Sequence, residues 1–278
     1  MFAFFYFFRR FTQMFSKVKY NNLESFINAF RATGRYSFSR EEAKANLKLS
    51  EKALNQALFR YSRKGKITKV RSGFYAILPP EYSQRGMLPV SLFIDDLMKS
   101  LDRDYYIALF SAAAYHGAAH QQPMTFYVIT KRPALRNLKS DKLSLNFYVK
   151  KEWSPDDIVQ KKSDAGYIKV SGPELTALDL LTYDFSLGRV FTVLEELVEE
   201  MRPDKLLVAA ERFPTTTVQR LGYLLDKELD QQHLAKPLKE LTNKKSLSKI
   251  LLMKGEVKSG EVDEDWKVIV NIDLESDL

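Results

Sequence analysis

Apolar residues in the first third of the chain recur with a helical period. Leu23, Phe26, Ile27 and Phe30 fall at i, i+3, i+4 and i+7, which predicts an amphipathic helix over 22–33, closed by Gly34. Ser39-x-x-Glu42 has the spacing of a capping box, in which the hydroxyl accepts from an end-of-helix amide and the carboxylate reaches back to the cap. It opens a short helix over 40–47 that packs through Ala43 and Leu47. Lys48-Leu49-Ser50 is then a three-residue turn, and Ser50 is placed to cap a third helix. Leu54, Ala57, Leu58 and Tyr61 form the core face of that helix over 51–64, and Gly65 supplies its left-handed stop. Two β-rich runs follow, 67–70 and 74–77, around the tight-turn tripeptide Arg71-Ser72-Gly73. Two short helices joined by a short turn and followed by a hairpin predict a winged helix-turn-helix over residues 20–78.

The pattern changes after Pro79-Pro80, and the Pro/Gly-rich stretch to Pro89 predicts a linker over 79–90. Beyond it, 92–101 and 105–116 read as helices and 125–130, 142–149 and 167–170 as strands. Five helical periods follow, over 173–184, 187–201, 203–212, 215–229 and 234–252. A last strand, 266–272, is expected to complete a sheet with the strands near Thr125 and Lys142. The fold class expected is α+β: the N-terminal winged helix-turn-helix domain, then a larger α+β domain over 91–278 with a helical C-terminal half. With 278 residues, 45% of them hydrophobic, the chain has enough apolar material for two cores.

Charge changes the picture of the first domain. Up to Tyr75 there are 16 Lys/Arg against 4 Asp/Glu, although the whole chain carries only +8. Between Glu51 and Glu81 lie seven basic residues and no acid. An acid-free basic stretch in a folded module is the electrostatic footprint of phosphate binding. The face of the third helix opposite its core carries Lys52, Asn55, Gln56, Phe59 and Arg63. Asn and Gln amides pair bidentately with adenine in the major groove. Arg60, Arg63 and Lys64, with Lys66, Lys69 and Arg71 of the hairpin, suit phosphates. Duplex DNA is therefore the expected partner; the charge asymmetry argues against a winged helix that docks protein.

Other functions find little support. The chain has no cysteine, which excludes disulfides and thiolate metal sites and suits a reducing cytosol. The leader Phe2-Ala3-Phe4-Phe5-Tyr6-Phe7-Phe8 is far shorter than the ~20 residues of a membrane span. Its basic pair, Arg9-Arg10, follows the apolar run, the reverse of a signal peptide. Residues 1–19 are expected to be a disordered or interaction-prone leader, with Met14 an alternative start, and the protein to be cytoplasmic with no membrane partner. His116 and His120 stand at i, i+4 but lack a third ligand and a His-Glu-x-x-His pattern, so packing and capping near Gly117 explain them better. Asp102-x-Asp104 lacks the Gly-Ser phosphate loop of a nucleotidyltransferase. After Pro155-Asp156 the first acidic-x-Lys is Glu256-Val257-Lys258, a nuclease spacing far too long. Ser111 is not in a nucleophile elbow. The acidic residues of the C-terminus read as a solvated face. No enzyme activity, cofactor or metal is expected. A ligand-sensing regulator and a DNA-processing enzyme are the competing readings.

Four segments carry a family likeness: Gly73-Phe-Tyr-Ala-Ile-Leu-Pro-Pro-Glu-Tyr82, Ile94-Asp-Asp-Leu-Met98, the run from Tyr105 to Pro123, and Trp266-Lys-Val-Ile-Val-Asn271 with Glu275. Together they resemble the AbiEi-type antitoxins, the regulatory halves of abortive-infection (type IV) toxin–antitoxin pairs, over roughly residues 20–278. The resemblance implies an N-terminal winged helix that represses its own promoter at inverted repeats. It also implies a C-terminal domain that counters a nucleotidyltransferase-type toxin. It marks no active-site residue.

Overall fold

A computed structural model describes residues 19–118, 124–255, 259–272 and 274. The leader, His120, the Glu256-Val257-Lys258 triplet, Asp273, Glu275 and Asp277 lie outside the described residues. Among the described residues the architecture is α+β, with helices and three separate sheets. The chain divides into two compact units. One holds the described residues up to Asp104 with 138–144 and 162–168, and the other holds Tyr105–Asn137, Leu145–Lys161 and Lys169 onward.

The first unit opens with α1 (Leu23–Ala32), whose Asn22 cap accepts from the Ser25 amide at 2.9 Å and whose Leu23, Phe26 and Ile27 are buried. A short strand β1 (Ser37–Ser39) runs directly into α2 (Arg40–Asn46). The capping box forms as its spacing requires: Ser39 Oγ accepts from the Glu42 amide at 3.0 Å, and Glu42 Oε2 accepts from the Ser39 amide at 2.9 Å. Ser50 caps α3 (Glu51–Arg63) through the Ala53 amide at 3.3 Å. Strands β2 (Ile67–Arg71) and β3 (Phe74–Ile77) make the hairpin, and β1 joins β3 antiparallel, giving the order β1-β3-β2. Gly73 turns the hairpin with φ +77, a left-handed value that costs glycine nothing. The core gathers Leu23, Phe26, Phe38, Ala43, Leu54, Leu58, Ile67 and Ile77. Helix α4 (Ile94–Ser100) packs on β1, where Asp96 accepts from Ser37 Oγ at 2.9 Å and Arg35 Nε at 3.3 Å.

In the second unit the structure departs from the helical pattern expected after Asp104. Residues 105–116 are not one helix but β4 (Tyr105–Ile107) followed by α5 (Leu109–Tyr115). A short run that is apolar on every side has no period to separate strand from helix. The outcome is set by β5 (Phe126–Thr130), which pairs antiparallel with β4 from Tyr105 opposite Thr130 to Ile107 opposite Val128. The chain breaks from strand to helix at Leu109, whose φ is +56. Four further strands, β6 (Leu138–Ser140), β7 (Leu143–Val149), β8 (Ile158–Ser163) and β9 (Gly166–Ser171), complete a mixed sheet in the order β6-β7-β5-β4-β9-β8.

Helices α6 (Pro173–Thr182), α7 (Leu187–Leu197), α8 (Pro203–Ala210), α9 (Thr215–Tyr223) and α10 (Gln232–Asn243) form the helical part, with α9 packed on α6 and α10. A π-helical turn over Leu224–Glu228 extends α9, so the expected helix over 215–229 changes its winding partway. The expected helix over 234–252 stops at Asn243. Ile250–Leu251 is instead a strand, β10, in a small second sheet with β11 (Glu261–Asp263) and β12 (Val268–Val270). The C-terminal strand therefore does not join the strands near Thr125 and Lys142. It pairs parallel with β10 and antiparallel with β11, and Val268 and Trp266 are buried in the helical core.

Candidate nucleic-acid interface

Helix α3 turns Leu54, Ala57 and Leu58 into the core and leaves the opposite side to solvent. Lys52, Asn55, Gln56, Phe59, Arg60, Arg63 and the cap residue Lys64 are all exposed. At about 100° per residue, Lys52, Gln56, Phe59 and Arg63 fall within one narrow stripe. Phe59 is 63% exposed, a large apolar ring in a row of polar side chains. The Arg63 guanidinium lies 5.9 Å from its centroid, within cation–π range.

The hairpin approaches this stripe from one side. Asn55 of α3, Lys69 and Arg71 of β2, and Arg40 at the start of α2 line a common cleft of about 380 Å³, closed at its edges by Ser72, Gly73 and Tyr75. A backbone bond from the Arg40 amide to the Gly73 carbonyl at 2.8 Å ties the turn of the hairpin to the start of α2. Lys69 is exposed and Arg71 half-exposed. Three cations thus share one concave surface whose carboxylate is Glu41. Coulomb attraction for a phosphate is strongest where several cations converge on a recess with low-dielectric walls.

Two partners were not legible in the spacing. Arg40 donates to Asn55 Oδ1 at 2.9 Å and to Glu51 Oε1 at 3.2 Å. Lys44 stands 3.7 Å from the same Glu51 carboxylate. Asn55 is exposed with its Oδ1 occupied by Arg40. Lys66, one of the expected phosphate contacts, is paired with a carboxylate within the domain. Its ammonium lies 3.0 Å from Glu24 Oε1 at the start of α1, and the hydrogen bond and charge of Glu24 raise its pKa above the ordinary lysine range. The only signal for Arg40 was its charge at the first position of α2. Its place beside α3 depends on how β1 and β3 pair.

The second unit gathers its ionisable groups differently. Asp179 of α6 is fully buried, with Lys150 Nζ 2.7 Å from Oδ1 and the Tyr106 hydroxyl donating to Oδ2 at 2.7 Å. Burial, chiefly, raises the Asp179 carboxyl above the ordinary range, against the pull of Lys150. His116 closes α5, and its Nε2 lies 2.7 Å from the Ser171 carbonyl, a capping and packing role. Asp156 sits in a single 3-10 turn capped by Ser154. Among the described residues no group of three or more His, Asp or Glu is placed to hold a metal ion. No described helix is long and apolar enough to cross a membrane.

These geometries can be set beside known proteins. The family described as AbiEi antitoxin C-terminal domain matches residues 106–227, which run from β4 to the π-helical turn. No curated protein matches the chain. The crystal structure of the RV2827C protein from Mycobacterium tuberculosis is similar in fold, with a TM-score of 0.62 over 87% of this chain and 89% of that one, at 16% identity. The Tyr105–Pro123 run that carries the family likeness in the sequence enters that matched region at its first strand. Through residues 106–227, the chain is similar to the AbiEi-type antitoxins, in the region that matches their C-terminal domain.

Proposed function

We propose that the protein is the antitoxin of a type IV toxin–antitoxin pair. In this reading residues 20–78 are a winged helix-turn-helix that binds inverted repeats in the pair's own promoter and represses it. The domain carrying the AbiEi match counters a nucleotidyltransferase-type toxin. Helix α3 is the reading helix, β2–β3 the wing, and the cleft between them the seat of a backbone phosphate. The observation that carries the DNA half is the convergence of Arg40, Lys69 and Arg71 beside the exposed face of α3. The toxin half rests on the family match.

Binding of the full-length protein to duplex DNA is expected to weaken steeply as salt rises, because each neutralised phosphate releases a condensed counterion and contributes about −0.9 to the log–log slope. Arg71→Ala is expected to lower affinity for preferred and random duplexes alike and to reduce that slope by about 1. Asn55→Ala or Gln56→Ala is expected to cost about 1–3 kcal/mol on the preferred site alone. Fluorescence anisotropy across a salt series measures all of these. A flat salt response, or equal losses on both duplexes for every variant, would overturn the assignment of face and cleft. The combined Gln56→Ala/Arg71→Ala chain is expected to lose promoter repression and still rescue growth during toxin expression. Loss of rescue by that variant at normal protein levels would overturn the division of labour.

A further inference from the structure

Phe59 is the one residue of the α3 stripe whose chemistry phosphate binding does not use. A helix position pointing directly away from the core is filled by a polar side chain at no cost, yet here it holds a ring 63% exposed. Lys52 stands two turns before it and Arg63 one turn after, on the same stripe, so the ring sits among groups that would hold an anionic surface against it. Arg63 adds its cation–π contact from the C-terminal side. The major groove of duplex DNA offers one apolar group to such a ring, the C5-methyl of thymine. The other groups that distinguish one base pair from another there are hydrogen-bond donors and acceptors, which a phenyl ring cannot satisfy. Gln56, one turn earlier on the same stripe, is free to read an adenine or guanine edge near it, whereas Asn55 has its Oδ1 committed to Arg40.

We infer that Phe59 is a specificity residue that seats on a thymine methyl in the preferred site, so that the protein distinguishes thymine from uracil at one position of each half-site. This rests on the reading of α3 as the DNA-reading helix. Burying one methyl against a ring predicts an effect of about four-fold in affinity.

The test uses the full-length chain and a duplex selected by it from a random pool. Each thymine of that duplex is replaced singly by deoxyuridine, which deletes the methyl and leaves the pairing edge unchanged. The native protein is expected to lose about four-fold at one thymine per half-site and little elsewhere. Phe59→Ala, an exposed substitution that favours the helix, is expected to bind the selected duplex more weakly and to show no further loss with uracil at that position. Native binding indifferent to every uracil overturns the inference, as does a Phe59→Ala loss that adds to the uracil loss at every position. In both cases salt-dependent binding to the selected duplex leaves the DNA-binding reading intact. Failure to select any duplex removes that reading and the inference together.

Discussion

Trp266→Ala is expected to destabilise the second unit by about 3–5 kcal/mol, the cost of deleting a large buried aromatic and leaving its cavity. The indole is 1% exposed and is bonded on several sides. Its Nε1 donates to Asp226 Oδ2 at 2.9 Å, its amide donates to Asp263 Oδ1 at 2.7 Å, and its carbonyl accepts from Gln219 Nε2 at 2.8 Å. Lys239 Nζ lies 4.8 Å from the ring centroid. The ring also rests on Gly222 of α9. A Cβ there would lie 2.0 Å from Trp266 Cζ3, well inside any real contact. Gly222→Ala must therefore displace the indole and is expected to cost a comparable amount, although it adds only a methyl. Trp266→Phe keeps most of the buried area and is expected to cost much less. Both tryptophans, Trp153 and Trp266, lie in the second unit, so the fluorescence of Trp153 still follows its urea unfolding when Trp266 is changed. A Gly222→Ala chain as stable as the native one would show that α9 and the indole are not in this contact. A chain ending before Trp266 is expected to lose toxin rescue because the protein does not accumulate.

The second large effect is expected at the buried ion pair. Lys150→Met leaves the Asp179 carboxylate buried without its counter-charge, a change that typically costs about 3–5 kcal/mol near neutral pH. Tyr106 cannot compensate, because its hydroxyl already donates to Oδ2 and its own pKa is pushed well up, first by burial and then by the Asp179 charge. The Lys150 ammonium also lies 3.9 Å from the Phe213 ring centroid, so its loss removes a cation–π contact as well. The pH dependence has a definite sign. The folded Asp179 carboxyl titrates above its ordinary value. Its stabilising contribution is thus complete below the unfolded carboxylate pKa and is lost as pH rises through the folded one. The stability of the native protein relative to Asp179→Asn should therefore fall as pH rises through that window. The penalty of Lys150→Met should shrink on acidification, when Asp179 takes a proton and no longer needs a partner. Urea midpoints for the three chains across an acidic pH series measure both trends. Parallel curves would mean that Asp179 does not titrate differently on folding.

What the sequence determined by itself is the local structure of the first unit. Ser39 with Glu42, Ser50 before α3, and glycines at 34, 65 and 73 act within a few residues, so their effect is written in spacing alone. The 3.6-residue period of Leu54, Leu58 and Tyr61 also set which side of α3 faces water, and with it the exposed stripe. The excess of cations before Tyr75 pointed to phosphate, and the Tyr105–Pro123 run to the antitoxin family. Tertiary structure decided whatever depends on residues distant in the chain. Tyr105–Ile107 became a strand because Val128–Thr130 was there to pair with it, and the C-terminal strand chose β10 and β11 over the larger sheet. Arg40 reached Asn55 only because β1 lies against β3, and Lys66 turned to Glu24 only because α1 packs on α3. Asp179 comes from a helix, Tyr106 from a strand and Lys150 from just past the end of another strand, and no periodicity along the chain records their meeting. Short-range hydrogen bonds and side-chain period are properties of a segment. Pairing, burial and charge compensation are properties of two segments brought together by a shared core.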